Sequence, residues 1–295
     1  MRKGLEVVKS VPYAAGRLRN APRNGDLLIS YNPNVEASYF DHDFGKYSLE
    51  GRIVRNENAE DPWVLSIHGA RADYTKSDYV TLGLRDRGLS ILGMNMSGHN
   101  RVSPVPLEET SLDNNIAEAE AFFSYLNPSR RRKIIAYSLG GTPALKVLEA
   151  HIEEVDRLVL FGPGIYDTRA YSQPFGPPFS SVIRMPYSYR NNDLIPILKR
   201  YEGKVLLIVG EYDGLEPVKY GKPAGGAVGE AIIDGRRRYS PIPNEVIELL
   251  YNASPSGQCR MITVRGADHA VVSWMRDHPE EAKPLLDEIG DFLKD

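Results

Sequence analysis

The sequence predicts an α/β fold with a mostly parallel central sheet, helices on both of its faces and an antiparallel N-terminal edge. Short Val/Ile/Leu runs alternate with longer segments of helical period from residue 62 onward. Continuous apolar strands are typical of parallel sheets that are buried on both faces. The first 60 residues instead hold two alternating segments with no helix between them. We therefore expect these two segments to form the antiparallel edge.

The helical segments begin and end at recognisable signals. Gly88 can close the first helix, Ser111 can cap the second, and Pro143 is tolerated in the first turn of the third. The predicted helices cover 75–87, 112–126, 243–251 and 279–293, and a further helix opens near 142–143. The predicted strands cover 26–31, 46–55, 63–67, 90–95, 133–136, 157–161, 204–209 and 260–264.

We expect one domain over residues 1–295, interrupted by two insertions. The first, residues 163–203, is expected to be a small cap or lid, because five prolines and six aromatic residues crowd its first 28 positions. The second is a loop insertion over 217–243. Both follow strands of the sheet, on the side where α/β proteins bind their ligands. The aromatic side chains of the cap are therefore expected to line an apolar pocket.

Charge and cysteine content exclude several classes of protein. Thirty-six Lys and Arg residues against 39 Asp and Glu residues give a net charge of −3, which provides no field for nucleic acid or an anionic membrane. Cys259 is the single cysteine, so neither an internal disulfide nor a thiolate metal cluster is expected. No phosphate-binding or dinucleotide-binding glycine motif occurs. We expect no metal and no cofactor.

The N-terminal residues bear on localisation. The first 23 residues carry six basic side chains and one acid, Glu6, a composition also found in transit peptides. Gly4, Pro12 and Gly16 argue against the long amphipathic helix that such a peptide needs. No apolar run is long enough to span a membrane. A cytoplasmic protein is therefore expected.

The strand at 133–136 leads into a motif that carries chemistry, Ala136-Tyr137-Ser138-Leu139-Gly140. This is the Gly-x-Ser-x-Gly nucleophile elbow with alanine at its first position. A serine on a sharp strand-to-helix turn is held in a strained conformation with its hydroxyl raised above the sheet. The helix that follows places its positive end under a developing oxyanion. Ser138 is therefore the candidate nucleophile, although serine is also a common helix cap.

A histidine and a carboxylate follow later strands in the order that such a serine requires. Asp213 comes after the strand at 204–209, and His269 after the strand at 260–264. The carboxyl ends of parallel strands share one edge of a sheet, so both side chains can reach Ser138. Glu211 and Asp268 remain alternatives for the acid.

With these motifs, the sequence resembles the serine hydrolases of the α/β-hydrolase fold, over residues 46–295. His68-Gly69-Ala70-Arg71 resembles the family's oxyanion turn, and residues 95–103 loosely resemble its Asp-x-x-Gly-x-Gly-x-Ser loop, with Asn95 replacing the aspartate. The resemblance implies that Ser138 is the nucleophile, His269 the base and Asp213 its orienting acid. It also implies an oxyanion hole formed by the backbone N–H groups of Ala70 and Leu139.

The resemblance implies a serine hydrolase that cleaves a carboxylic ester through an acyl-enzyme. A thioesterase, a lactonase or an acyl-transferring or cyclising enzyme could use the same residues, and a non-catalytic ligand-binding protein could keep the same fold. The expected partner is a small molecule, an apolar or aromatic acyl ester, and neither nucleic acid nor a membrane. Arg71 and Asp73 are either solvated charges or contacts to a substrate. The run Arg236–Arg238 is either a solvated turn or a site for an acidic substrate group.

Overall fold

A computed structural model describes residues 18–295, so residues 1–17 of the basic N-terminal segment lie outside the described residues. Its main feature is an eight-stranded sheet in the order β1-β2-β4-β3-β5-β6-β7-β10, and β8 and β9 form a separate hairpin. The strands are β1 Ser38–Asp43, β2 Ser48–Val54, β3 Val64–Ile67, β4 Ile91–Met94, β5 Arg132–Tyr137, β6 Val155–Phe161, β7 Lys204–Gly210, β8 Gly229–Ile233, β9 Arg236–Ser240 and β10 Cys259–Val264.

The sheet is mostly parallel, and its antiparallel pairs lie at the N-terminal edge, as predicted. β2 runs antiparallel to both β1 and β4, whereas the pairs from β4 to β10 are parallel. The predicted strand at 26–31 is wrong. Gly25–Leu27 form a 3-10 turn, and the Asp73 carboxylate accepts the Ile29 N–H at 2.8 Å. The edge strand is β1, in which Tyr39 and Phe40 are buried.

Helices cover both faces of the sheet. One face is packed by α2, α3, α5 and α6, and the other by α1, α7 and α8. Consecutive residues of β5 alternate between the two cores: Ile134 and Ala136 enter the first, and Ile135 and Tyr137 the second. The helices are α1 Asp78–Arg85, α2 Leu112–Phe123, α3 Gly141–Ala150, α4 Pro177–Ile183, α5 Ile195–Arg200, α6 Asn244–Ala253, α7 Val271–Asp277 and α8 Pro279–Lys294.

The two insertions contain regular structure. Residues 163–203 hold α4, α5 and two 3-10 turns, and residues 217–243 hold the β8–β9 hairpin. The hairpin turn is Asp234-Gly235, with φ of 50° and 71°. Positive φ at both central residues suits a two-residue hairpin, and Asp-Gly is a strong signal for one. The segment predicted as a loop insertion over 217–243 therefore contains a β-hairpin.

A buried polar network supports the loop that follows β4. His99 Nε2 contacts the Asn115 Oδ1 atom at 2.8 Å, and Asn115 Nδ2 donates to Glu118 at 3.0 Å. Glu118 also accepts from the Ser97 N–H and the Tyr47 hydroxyl. Burial lowers the pKa of His99 to about 4, so this imidazole is neutral in the folded protein near neutral pH.

The neutral His99 makes folding stability depend on pH. The unfolded chain protonates this histidine below about 6.5, whereas the folded chain protonates it only near 4. Acidification from about pH 6.5 towards pH 4 should therefore remove about 3 kcal/mol from the free energy of unfolding through this residue. Urea unfolding between pH 4.5 and 7.5 should show that the free energy of unfolding falls less steeply on acidification for His99→Asn than for the wild type. Parallel curves would contradict this assignment.

Candidate active site

Ser138 lies at a sharp turn between β5 and α3. β5 ends at Tyr137, a 3-10 turn covers Ser138–Gly140, and α3 begins at Gly141. The φ of Ser138 is 51°, in the left-handed region that few residues other than glycine adopt. Such strain is of order 1–3 kcal/mol and persists only where the surroundings impose it.

Glycines at three neighbouring positions allow the backbone to close around this serine. A Cβ at Gly140 would lie 2.5 Å from the His68 carbonyl oxygen. A Cβ at Gly69 would lie 3.1 Å from the Ser138 Cβ. A Cβ at Gly162 would lie 2.8 Å from Asp213 Oδ2 and 3.0 Å from His269 Nδ1. The β3, β5 and β6 ends therefore approach more closely than side chains at these positions would permit.

The structure brings Ser138, His269 and Asp213 together. His269 Nε2 is 2.8 Å from Ser138 Oγ, and His269 Nδ1 is 2.8 Å from Asp213 Oδ2. The carboxylate can only accept, so Nδ1–H donates to Asp213 and leaves Nε2 to accept the serine hydroxyl proton. The Asp213 side chain is fully buried, and that of His269 is 11% exposed.

The two alternative acids face other partners. Glu211 accepts the Gly266 N–H at 2.7 Å. Asp268 accepts the N–H groups of Tyr239 and Ala270, each at 3.0 Å. Among the described carboxylates, the hydrogen-bond partner of the His269 ring is therefore Asp213.

The predicted oxyanion turn lies beside Ser138. Ala70 and Leu139 both line the cavity that contains the serine. His68 accepts the Met96 N–H at Nε2 (2.9 Å), and its Nδ1 is 2.7 Å from the Gly69 carbonyl oxygen. Burial lowers the pKa of His68, in keeping with a neutral ring whose Nδ1–H donates to the turn.

The residues after this turn divide into structural and solvent-facing ones. Asp73 is fully buried and accepts the Thr75 N–H at 2.8 Å, so it is not a free contact for substrate. The Asn95 Oδ1 atom accepts the Tyr74 N–H at 3.1 Å. Arg71, in contrast, is exposed and lines the cavity.

A cavity of about 980 Å³ opens above Ser138 and His269. Residues of both insertions line it, together with the sheet edge and the start of α7. Of the six cap aromatics, Tyr166, Phe179 and Tyr189 line the cavity, and Tyr171, Phe175 and Tyr187 do not. Phe175 packs in the core against His99, with ring centroids 4.7 Å apart. The predicted apolar lining therefore comes from part of the cap.

The hairpin contacts the loop of the candidate base directly. The Tyr239 carbonyl accepts the His269 backbone N–H at 3.0 Å. The Tyr239 ring lies edge-on to the His269 imidazole, with ring centroids 5.8 Å apart. On the cap side, the Tyr187 N–H donates to the Gly225 carbonyl at 2.7 Å. Sequence reasoning missed Tyr239 and Gly162, because no motif signals either of them.

Two further searches of the structure concern metals and membranes. Residues 18–295 contain no group of three or more His, Cys, Asp or Glu side chains arranged to hold a metal ion. Within the same range, no helix has both the length and the apolar character needed to cross a bilayer.

Comparison with known proteins agrees with this architecture. Residues 59–191 match the family model described as "Serine aminopeptidase, S33". The chain is similar in structure to Est1E of Butyrivibrio proteoclasticus with bound ferulic acid (TM-score 0.58, 14% identity, 84% of this chain and 98% of the other). It is also similar to the enol-lactonase of Burkholderia xenovorans LB400 (TM-score 0.55, 14% identity, 86% and 100%). A thioesterase domain from the curacin biosynthetic pathway gives a TM-score of 0.55 at 13% identity, over 85% and 98% of the two chains.

No curated protein matches the chain at a significant level. The family match and the structural neighbours support a hydrolase, and the resemblance seen in the sequence motifs is confirmed. The eight-stranded sheet, its topology and these neighbours establish that the chain has the α/β-hydrolase fold.

Proposed function

We propose that this protein is a serine hydrolase that cleaves carboxylic esters through an acyl-enzyme. The observation that carries the proposal is a pair of 2.8 Å contacts, which join His269 to Ser138 and to Asp213. Ser138 and His269 line the cavity, and the Asp213 side chain is buried behind them. A strained serine that shares a proton with an oriented histidine is the arrangement of an activated nucleophile. A protein that only binds a ligand has no need of all three residues.

The reaction follows from this geometry. Ser138 Oγ attacks the acyl carbon while His269 Nε2 takes its proton, and Asp213 stabilises the imidazolium that forms. The Leu139 and Ala70 N–H groups stabilise the oxyanion, aided by the positive end of α3. His269 then protonates the leaving alcohol. Water activated by the same histidine releases the acid and regenerates the serine.

The substrate class can be tested with one panel. Aryl esters, acyl thioesters, lactones and aminoacyl anilides should be assayed with the wild type and with Ser138→Ala. Ser138-dependent turnover of esters above the other classes supports the proposal. A preference for thioesters or lactones would assign one of the alternative hydrolases, and anilide cleavage a peptidase. Binding of these compounds without Ser138-dependent turnover would favour the non-catalytic alternative.

A fluorophosphonate should label the protein at Ser138. The probe reacts with activated serines, so labelling should inactivate the enzyme with one adduct per chain, located by peptide mass spectrometry. Ser138→Ala should be neither labelled nor active. Ser180, which lines the same cavity in the cap, gives a matched control, since Ser180→Ala should be labelled normally. Recovery of the label on another residue would refute the nucleophile.

Replacement of the acid should separate Asp213 from Glu211. Asp213→Asn keeps the shape but favours the wrong histidine tautomer, so kcat should fall by about 10⁴, as in serine proteases. Glu211→Gln should cost less than about tenfold, because Glu211 binds a backbone N–H instead of the imidazole. Steady-state kinetics on one aryl ester, with circular dichroism as the folding control, checks both variants. The reverse ranking would move the acid to Glu211.

Alanine substitutions of two phenylalanines in the cap should have different effects, one on substrate selectivity and the other on stability. Phe179 lines the cavity, so Phe179→Ala should raise KM for long-chain or aromatic acyl esters more than for acetate esters. Phe175 lies outside the lining, so Phe175→Ala should keep that selectivity and instead destabilise the fold by about 3–5 kcal/mol. Kinetics on an acyl series and denaturant unfolding measure the two effects. Unchanged selectivity in Phe179→Ala would show that the cap packs without selecting substrate.

A further inference from the structure

The wall of the cavity carries an excess of positive charge, although the chain as a whole has a net charge of −3. Four basic residues and one acidic residue line the cavity. The acidic residue, Glu230, is paired with Arg237 of the neighbouring strand. The ligand space therefore faces cations that no acidic wall residue offsets. The basic residues are Arg71, Lys76, Arg184 and Lys222.

These cations come from separate parts of the chain that meet around one cavity. Arg71 follows the oxyanion turn, Arg184 follows α4 in the cap, and Lys222 precedes the hairpin. Within the described part of the chain, no carboxylate or side-chain acceptor pairs with any of these three side chains. All three are exposed to solvent. Unpaired cations around one cavity raise the local concentration of anions and disfavour cationic ligands. Charged groups in this position act mainly on ligand choice.

Arg71 is the cation nearest to the reacting atoms along the chain. It directly follows Ala70, whose N–H we assign to the oxyanion hole. Its φ is 56°, a left-handed conformation that non-glycine residues adopt mostly at turns and functional sites. Arg71 thus lies at the wall of the cavity, one residue beyond the oxyanion turn.

The remainder of the cavity wall is largely apolar. Phe161 ends β6, Ile165 and Phe179 belong to the cap, and Val246 and Val271 come from helices. A ligand that satisfies both parts of the wall has an apolar body and one anionic group. The planar guanidinium of arginine matches a carboxylate with two parallel hydrogen bonds.

We propose that Arg71, assisted by Arg184 and Lys222, binds a carboxylate on the substrate, so that the preferred substrates are apolar esters with one negative charge. The inference rests on the proposed ester hydrolysis and narrows its substrate class. Arg71 is thus a specificity-determining residue, separate from the residues that make and break the ester bond.

The test compares esters that differ in one charge. On the acyl side, the p-nitrophenyl monoester of adipic acid, which carries a free carboxylate, is compared with the p-nitrophenyl ester of adipic acid monoamide, which carries a neutral carboxamide. On the alcohol side, phenyl butyrates with a para carboxylate or a para carboxamide are compared, and a para phosphonate tests whether a phosphate-like anion serves as well. The wild type should favour the anion in at least one pair by about 10- to 100-fold in kcat/KM, since hydrogen bonds to charged groups contribute that much. Added salt should reduce the preference.

Variants identify the source of the preference. Arg71→Gln should bring the ratio of kcat/KM for the anionic ester to kcat/KM for the neutral ester close to 1, whereas Arg71→Lys should keep part of the preference. Arg236→Gln is the matched control, because Arg236 is exposed on the hairpin and outside the cavity lining. If Arg71→Gln fails to fold, the double variant Arg184→Gln/Lys222→Gln should lower the ratio instead.

The outcomes separate the two proposals. Ser138-dependent hydrolysis without preference for the anion, or a preference that Arg71→Gln retains, overturns the assignment of Arg71 and leaves the ester hydrolase intact. A phosphonate favoured over the carboxylate overturns the choice of anion. If no ester is hydrolysed, calorimetric binding of the carboxylate and carboxamide phenyl butyrates to Ser138→Ala decides the inference. Tighter binding of the carboxylate, lost in Ser138→Ala/Arg71→Gln, supports it, and equal binding overturns it.

Discussion

The close approach of three strand ends around Ser138 is the constraint on which the rest of the site depends. Gly69, Gly140 and Gly162 occupy positions where a Cβ would meet backbone or the side chains of Asp213 and His269. This packing holds the serine at a φ of 51° and keeps the imidazole within hydrogen-bond distance of both partners. Much of the core on either side of the sheet can be understood as the support that keeps these ends together.

The sequence predicted the parts of the fold whose cause is local or periodic. The buried strands were visible as apolar runs, and the strand ends gave Ser138, Asp213 and His269, because parallel strands place their carboxyl ends at one edge. The edge strand was misplaced to 26–31, since a half-exposed strand such as β1 has a weak pattern and its pairing with β2 is a tertiary contact. The Asp234-Gly235 hairpin was missed although its turn signal was present.

Side-chain contacts between distant segments could not be predicted. Nothing in the cap sequence distinguishes Phe179, which lines the cavity, from Phe175, which packs on His99. Asp73 and Arg71 look alike as charges after a turn, yet one is fully buried and caps the backbone and the other is exposed. In both pairs, the difference depends on which surface the neighbouring elements leave open, and that is decided only when the chain has folded.

The contact between the hairpin and the His269 loop has a consequence for how such an enzyme changes over evolution. The main chain of Tyr239 binds that of His269, and the same insertion forms one wall of the cavity. Changes in the length or sequence of residues 217–243 therefore alter the shape of the cavity and the geometry of the catalytic residues at once. The cap contributes Phe179 and Tyr189 to the cavity. In the described part of the chain, neither side chain hydrogen-bonds or stacks on His269, so substitutions in the cap are the freer route to new specificity. New substrates are thus more readily acquired from the cap side than from the hairpin side.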